Sequence, residues 1–151
     1  MRIVVQRVSE ASVRIEDRIV GSISKGLLVL VGVETTDIQS DADYLVQKLV
    51  NLRIFSDNEG KMNFSLQDVD GQLLVVSQFT LHASTKKGNR PSYIRAARPE
   101  QAIPLYQYFI EQVQNQMKTK IQTGEFGADM KVSLVNEGPV TIILDSQNKD
   151  F

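Results

Sequence analysis

Leu27-Leu28-Val29-Leu30-Val31-Gly32-Val33 is the longest apolar stretch in the chain, and its run of branched residues predicts a strand buried on both faces. It closes an amino-terminal third built of short β-rich runs. Ile3-Val4-Val5, residues 11–15 and residues 19–23 precede it, with turns at Asp17-Arg18 and Lys25-Gly26. Val13, Ile15, Ile19 and Ile23 sit among polar residues, as on half-buried strands. This third reads as a meander. The apolar stretch is far shorter than the roughly 20 residues of a membrane span, and the start, Met1-Arg2-Ile3-Val4-Val5-Gln6-Arg7, lacks the apolar segment of a signal peptide.

Further along, Ser40 can cap a helix in which Ala42, Leu45, Val46, Leu49 and Val50 follow the i, i+3, i+4 spacing of one face. Ser56-Asp57-Asn58-Glu59-Gly60 and Asp68-Val69-Asp70-Gly71 are turns, the second leading into Leu73-Leu74-Val75-Val76, a central strand. Pro99 suits the first turn of a second helix, with Ala102, Leu105, Tyr106, Phe109, Ile110, Val113 and Met117 as its apolar stripe. Pro104 predicts a distorted first turn or a later start. Residues 130–135 and 140–144 read as strands flanking Asn136-Glu137-Gly138-Pro139. Strands in groups with two helices between them predict an α+β fold with largely antiparallel sheet, in one domain spanning residues 1–151.

Composition narrows the chemistry. Hydrophobic residues are 42% and charged residues 23%, enough for a core and too ordered a pattern for disorder. With no cysteine there is no disulfide framework, thiolate nucleophile or cysteine-bound metal, which fits a reducing compartment and a cytoplasmic protein. A net charge of -1 supplies no chain-wide field for a polyanion, so any nucleic-acid site must be local. His82 is the single histidine, and with no assigned carboxylate partner it reads as incidental rather than as a general base. A calcium loop at Asp68 would need a Glu where Phe79 stands, so no metal is expected. Asn63-Phe64-Ser65 matches a glycosylation acceptor, without meaning for a cytoplasmic chain.

Three segments could carry function. Ser77-Gln78-Phe79-Thr80 leaves the predicted central strand with two hydroxyls, an amide and a ring. Its plain reading is a capped strand end with Phe79 in the core; its sharper one is a set of backbone N–H groups that polarise a carbonyl. Residues 81–99 hold Lys86, Lys87, Arg90, Arg95 and Arg98, with Tyr93 among them and no acidic residue. That is either a solvated loop or a surface for phosphates and exposed bases, whose RNA binding would weaken with salt. Gly138-Pro139 is either an ordinary turn or a place where a ligand meets the backbone closely and an X-Pro bond can be cis.

Taken together, these residues resemble the D-aminoacyl-tRNA deacylases. The resemblance rests on Ser77-Gln78-Phe79-Thr80-Leu81, Lys87-Gly88-Asn89-Arg90-Pro91-Ser92, Thr123-Gly124-Glu125-Phe126-Gly127-Ala128-Asp129-Met130, and Val132-Ser133-Leu134-Val135-Asn136-Glu137-Gly138-Pro139-Val140-Thr141. Gln6-Arg7-Val8 with Ala11-Ser12-Val13, and Arg53-Ile54-Phe55-Ser56-Asp57 with Gly60-Lys61-Met62-Asn63, follow the same order, so the likeness spans the chain. Glu137 stands where the family commonly has Asp, and Tyr93 where it often has Phe.

The resemblance implies a homodimer of a small α+β fold with barrel-like sheets and active sites at the subunit interface. It implies hydrolysis of the ester joining a D-amino acid, or a misplaced glycine, to the terminal adenosine of tRNA, without a cofactor. Gly138-Pro139 would be cis and enter the partner's pocket, with Arg7 holding its orientation. Ser77, Gln78, Phe79 and Thr80 would line that pocket, Phe126 and Met130 would seat the adenine, and Lys86, Lys87 and Arg90 would meet the RNA. No His or Cys is then needed: amides near Phe79 and Thr80 bind the carbonyl and the 2′-hydroxyl of the tRNA assists water. Thr80 as nucleophile ranks lower, because no base is near it in sequence. Chirality would come from blocking the L side chain rather than recognising the D one. The competing expectations are a non-catalytic RNA-binding module and a purely structural dimer.

Overall fold

The structure is a computed structural model that describes residues 1–150. Its elements run β1 (Arg2–Ile15), β2 (Arg18–Ile23), β3 (Gly26–Gly32), α1 (Gln39–Val50), β4 (Phe55–Ser56), β5 (Met62–Phe64), β6 (Gln72–Ser77), a 3-10 turn (Phe79–His82), α2 (Pro99–Gln116), β7 (Gln122–Thr123) and β8 (Lys131–Asp145). None of the helices is long and apolar enough to cross a membrane.

The amino-terminal third is one long hairpin rather than a meander. The first two predicted runs are a single strand, β1, and both β2 and β3 pair with it, Ile15↔Arg18 to Ala11↔Ile23 and then Val8↔Gly26 to Arg2↔Gly32. Strand β8 follows β1 along its whole length on the opposite edge, from Arg2↔Asp145 to Arg14↔Lys131. The register slips near Ser9 and Glu10, and the slip changes which face is inward. Ile3 and Val5 join one core, whereas Val8, Ala11 and Val13 join another, the switch of face that a bulge produces.

The expected α+β architecture is present: a barrel-like sheet and two main helices. Its antiparallel part is β1 with its three partners; β3–β6 and β6–β7 are parallel pairs, joined through α1 and α2. Central strands of that kind are covered on both faces. Leu27, Val29, Leu73 and Val75 meet Leu45, Leu49, Phe109 and Val113 of the helices. Leu28, Leu74 and Val76 fill the second core with Val8 and Val13. The sheet curls until β2 lies beside β7: a Cβ on Gly21 would sit 2.9 Å from the Thr123 carbonyl oxygen, closer than a side chain tolerates.

Local signals hold, with one shift at the start of α1. Helix α1 begins before Ser40, which lies exposed inside it, and the Asp41 carboxylate accepts the Ile38 N–H at 2.9 Å. That carboxylate, at the third helical position, reaches back to the N–H of the residue just before the helix, so the start is closed from inside rather than by a Ser40 cap. Helix α2 starts at Pro99 as expected and continues through Pro104. Glu100 and Pro104 are both exposed, so the carbonyl that loses its helical partner there is open to water. In the Asp68 turn, the carboxylate accepts the Ser65 N–H at 2.8 Å and its hydroxyl at 2.7 Å.

Candidate functional site

Strand β6 ends at Ser77, still in register opposite Val31 of β3, and the Gln78 N–H donates to the Val31 carbonyl at 2.7 Å. The ladder stops there, and the chain turns into the 3-10 segment beginning at Phe79. The N–H groups of Phe79 and Thr80 open that turn and have no acceptor among the described residues. Two donors are therefore left free at the end of a buried strand. Ser77, Gln78 and Phe79 form one wall of a cavity of about 290 Å³. Phe126 and Met130, from the segment between β7 and β8, form another.

The sequence reading expects, from the family resemblance, that residues 77–80 line a substrate pocket and that Phe126 and Met130 seat the adenine. It did not name Tyr106 as a wall, because Tyr106 belongs to the apolar stripe of α2 and stripe residues are ordinarily core. Its hydroxyl donates to the Val75 carbonyl at 3.2 Å, and its ring lies 5.8 Å from that of Phe126. Burial pushes the Tyr106 phenol well above its usual pKa, so it remains neutral. Asp129 also lines the cavity as its one carboxylate; nothing in the pattern around it distinguished it from a solvated turn residue.

Other candidates fall outside this lining. Thr80 follows the wall, half-buried, with its Oγ1 accepting from the Gln78 Nε2. Phe79 is 55% exposed and packs edge to face on Tyr93, with centroids 5.0 Å apart, so the plain reading that put it in the core does not hold. Lys86, Lys87 and Arg90 are exposed on a loop closed by paired backbone bonds of 2.8 Å between Ser84 and Ser92. Arg95 is less available than its place in the basic stretch suggests, because it donates to Glu34 at 2.5 Å. His82 is buried, and its Nδ1 lies 3.7 Å from the Glu34 carboxylate, beyond hydrogen-bond reach. It does not line the cavity.

Arg7, Gly138 and Pro139 form a second arrangement. The Gly138-Pro139 bond is cis, and Gly138 and Pro139 are exposed. Buried Arg7 donates from Nε to the Glu137 carbonyl at 3.1 Å and from Nη1 to the Ile54 carbonyl. None of the three lines the cavity of the same chain.

A family model described as D-Tyr-tRNA(Tyr) deacylase matches residues 4–145, a span that includes both arrangements. The chain belongs to this deacylase family. Among its relatives, the D-aminoacyl-tRNA deacylase of Flavobacterium psychrophilum is 60% identical over 150 residues, covering 99% of this chain and 100% of the relative. That of Cytophaga hutchinsonii is 62% identical over 146 residues, 97% of each. A solved structure described as c-Myc DNA Unwinding Element Binding Protein is 41% identical and superposes with a TM-score of 0.91, over 96% of this chain and 98% of that one. A probable eukaryotic D-amino acid tRNA deacylase shares the fold at 17% identity, with a TM-score of 0.81 over 95% and 98%. Within the deacylase family fold, the cavity lies where the chain leaves its central strand.

Proposed function

We propose that this deacylase releases D-amino acids and glycine from tRNA by hydrolysing the ester at the terminal adenosine, in a homodimer whose two copies complete each site. The observation that carries the reading is the cavity in which residues 77–79 and residues 126–130 face one space. Its volume is near the lower end of small-ligand sites, roughly 300–1,000 Å³, which suits entry of the 3′ end rather than the body of the tRNA. Phe126 and Met130 offer a ring and a soft thioether to the adenine. The exposed Lys86, Lys87 and Arg90 meet backbone phosphate outside it.

Chemistry follows from what the wall provides. The free N–H groups of Phe79 and Thr80 receive the developing oxyanion as water adds to the ester carbonyl. The 2′-hydroxyl of the tRNA assists that water; the carbonyl–oxygen bond to the ribose then breaks, and the leaving oxygen takes a proton. His82 has no part in it. The bulge carrying Gly138 and Pro139 enters the partner's cavity, where a fixed backbone blocks an L side chain and leaves a D side chain or glycine free.

The test compares amino-acid release from D-tyrosyl-tRNA and L-tyrosyl-tRNA with the uncatalysed rates in the same buffer and salt. Acceleration of the D form alone is expected; tight tRNA binding with neither form accelerated would point to a binding module instead. Thr80→Ala should retain deacylation within about tenfold, since a side-chain nucleophile without a positioned base contributes little. Complete loss in a folded variant that still binds tRNA would return Thr80 to the role of nucleophile.

A further inference from the structure

Between Gln6↔Thr141 and Val8↔Asn136, the β1–β8 ladder sets four residues of β8, Glu137 to Val140, against Arg7 alone. Such a bulge takes its residues out of the strand pairing that would satisfy their backbone groups. At its far end stands Val140, only 6% exposed. Both of its backbone groups are satisfied by one side chain: Asn136 Oδ1 accepts the Val140 N–H at 2.9 Å, and Asn136 Nδ2 donates to the Val140 carbonyl at 3.1 Å. The same Nδ2 lies 3.4 Å from Thr141 Oγ1, which also accepts from Gln6 Nε2 at 3.3 Å.

We infer that Asn136 is a positioning residue for substrate selectivity: its amide closes the bulge across its base and thereby fixes where Gly138 and Pro139 project. The inference rests on the reading that this bulge screens the chirality of the substrate. Asn136 and Arg7 divide the task. Arg7 fixes the entry of the bulge through the Glu137 carbonyl, and Asn136 fixes its exit through Val140. An amide on a short side chain is the group that donates and accepts at once at this reach. An Asp at the position would accept only, and would set a second acceptor against the Val140 carbonyl.

The experiment measures kcat/KM for D- and L-tyrosyl-tRNA with the full chain and with Asn136→Ala, Asn136→Asp and Gly138→Ala. Asn136→Ala should lower the D:L ratio by about tenfold, the scale of two lost hydrogen bonds, chiefly through hydrolysis gained on the L form. Asn136→Asp, which removes the donor, should move the ratio the same way and carries the test if the Ala variant does not fold. A residue serving only stability would lower both rates together, and that result overturns the inference. An unchanged ratio in both Asn136 variants, with a lowered ratio in Gly138→Ala, overturns it while the gate stands. An unchanged ratio in all three overturns the gate, and this inference with it.

Discussion

Gly138→Ala is expected to lower the D:L ratio of tyrosyl-tRNA hydrolysis by about 100-fold, the scale of a displacement near 1 Å in a site built on orientation. The backbone at Gly138 has φ of 130°, a conformation essentially confined to glycine. Forcing alanine into it costs about 1–3 kcal/mol. Space is also lacking: a Cβ would lie 2.8 Å from Val140 Cγ2, 2.9 Å from Arg7 Nη2 and 3.1 Å from the Val140 nitrogen. Neither neighbour yields freely, because Val140 is buried and clamped by Asn136 while Arg7 is held by two carbonyls. The bulge itself must move. Since Gly138 and Pro139 are exposed and outside both cores, the change should appear in selectivity more than in folding. The check is kcat/KM on both substrates beside a melting curve; an unchanged ratio in a folded variant would remove Gly138 from the gate.

The fold was legible wherever one residue pattern admits one environment. Leu27 to Val31 announces burial on both faces and Leu73 to Val76 a central strand, and residues of both strands fill both cores. Burial does not announce direction, which is why their parallel pairing through α1 was not foreseen. Strand β8 was divided in the reading because Gly138-Pro139 resembles a break; the ladder to β1 resumes on the other side of it. The hairpin of β4 and β5 and the short β7 are too brief to leave a periodic signal.

At the site, residues 77–79, Phe126 and Met130 were found together through ordered motifs rather than through any local chemical signature. What sequence could not supply is which charges are already engaged. Arg95 counted among five local cations, yet its partner Glu34 lies 61 residues away in the chain. Phe79 had the apolar character of a core residue but sits at a strand end that faces outward. Asn136 was visible only as part of a motif, since its function as a clamp depends on a register slip.

Asp37→Ala should destabilise the fold by about 3–5 kcal/mol, the usual effect of leaving a buried charge without its partner. The Met1 ammonium and the Asp37 side chain are both fully buried and form an ion pair. The ammonium also donates to Ser146 Oγ at 2.7 Å, and the other Asp37 oxygen accepts the Glu34 N–H at 2.6 Å. Alanine therefore strands both a charge and a backbone donor. Asp37→Asn should lose less, because its amide oxygen still accepts one of those bonds. The fall in melting temperature expected for alanine is roughly 6–20 °C, at 2–4 °C per kcal/mol in a chain of this size. A shift under about 2 °C would mean that water reaches the ammonium once the carboxylate is gone. The effect should extend towards the cavity, because the turn held by Asp37 carries Glu34, which in turn holds Arg95, and the neighbouring Val33 carbonyl accepts the Ala97 N–H at 2.9 Å. Val33 and Ala97 both line that cavity, so loosening the buried ion pair should raise KM for the tRNA at temperatures below the melting transition.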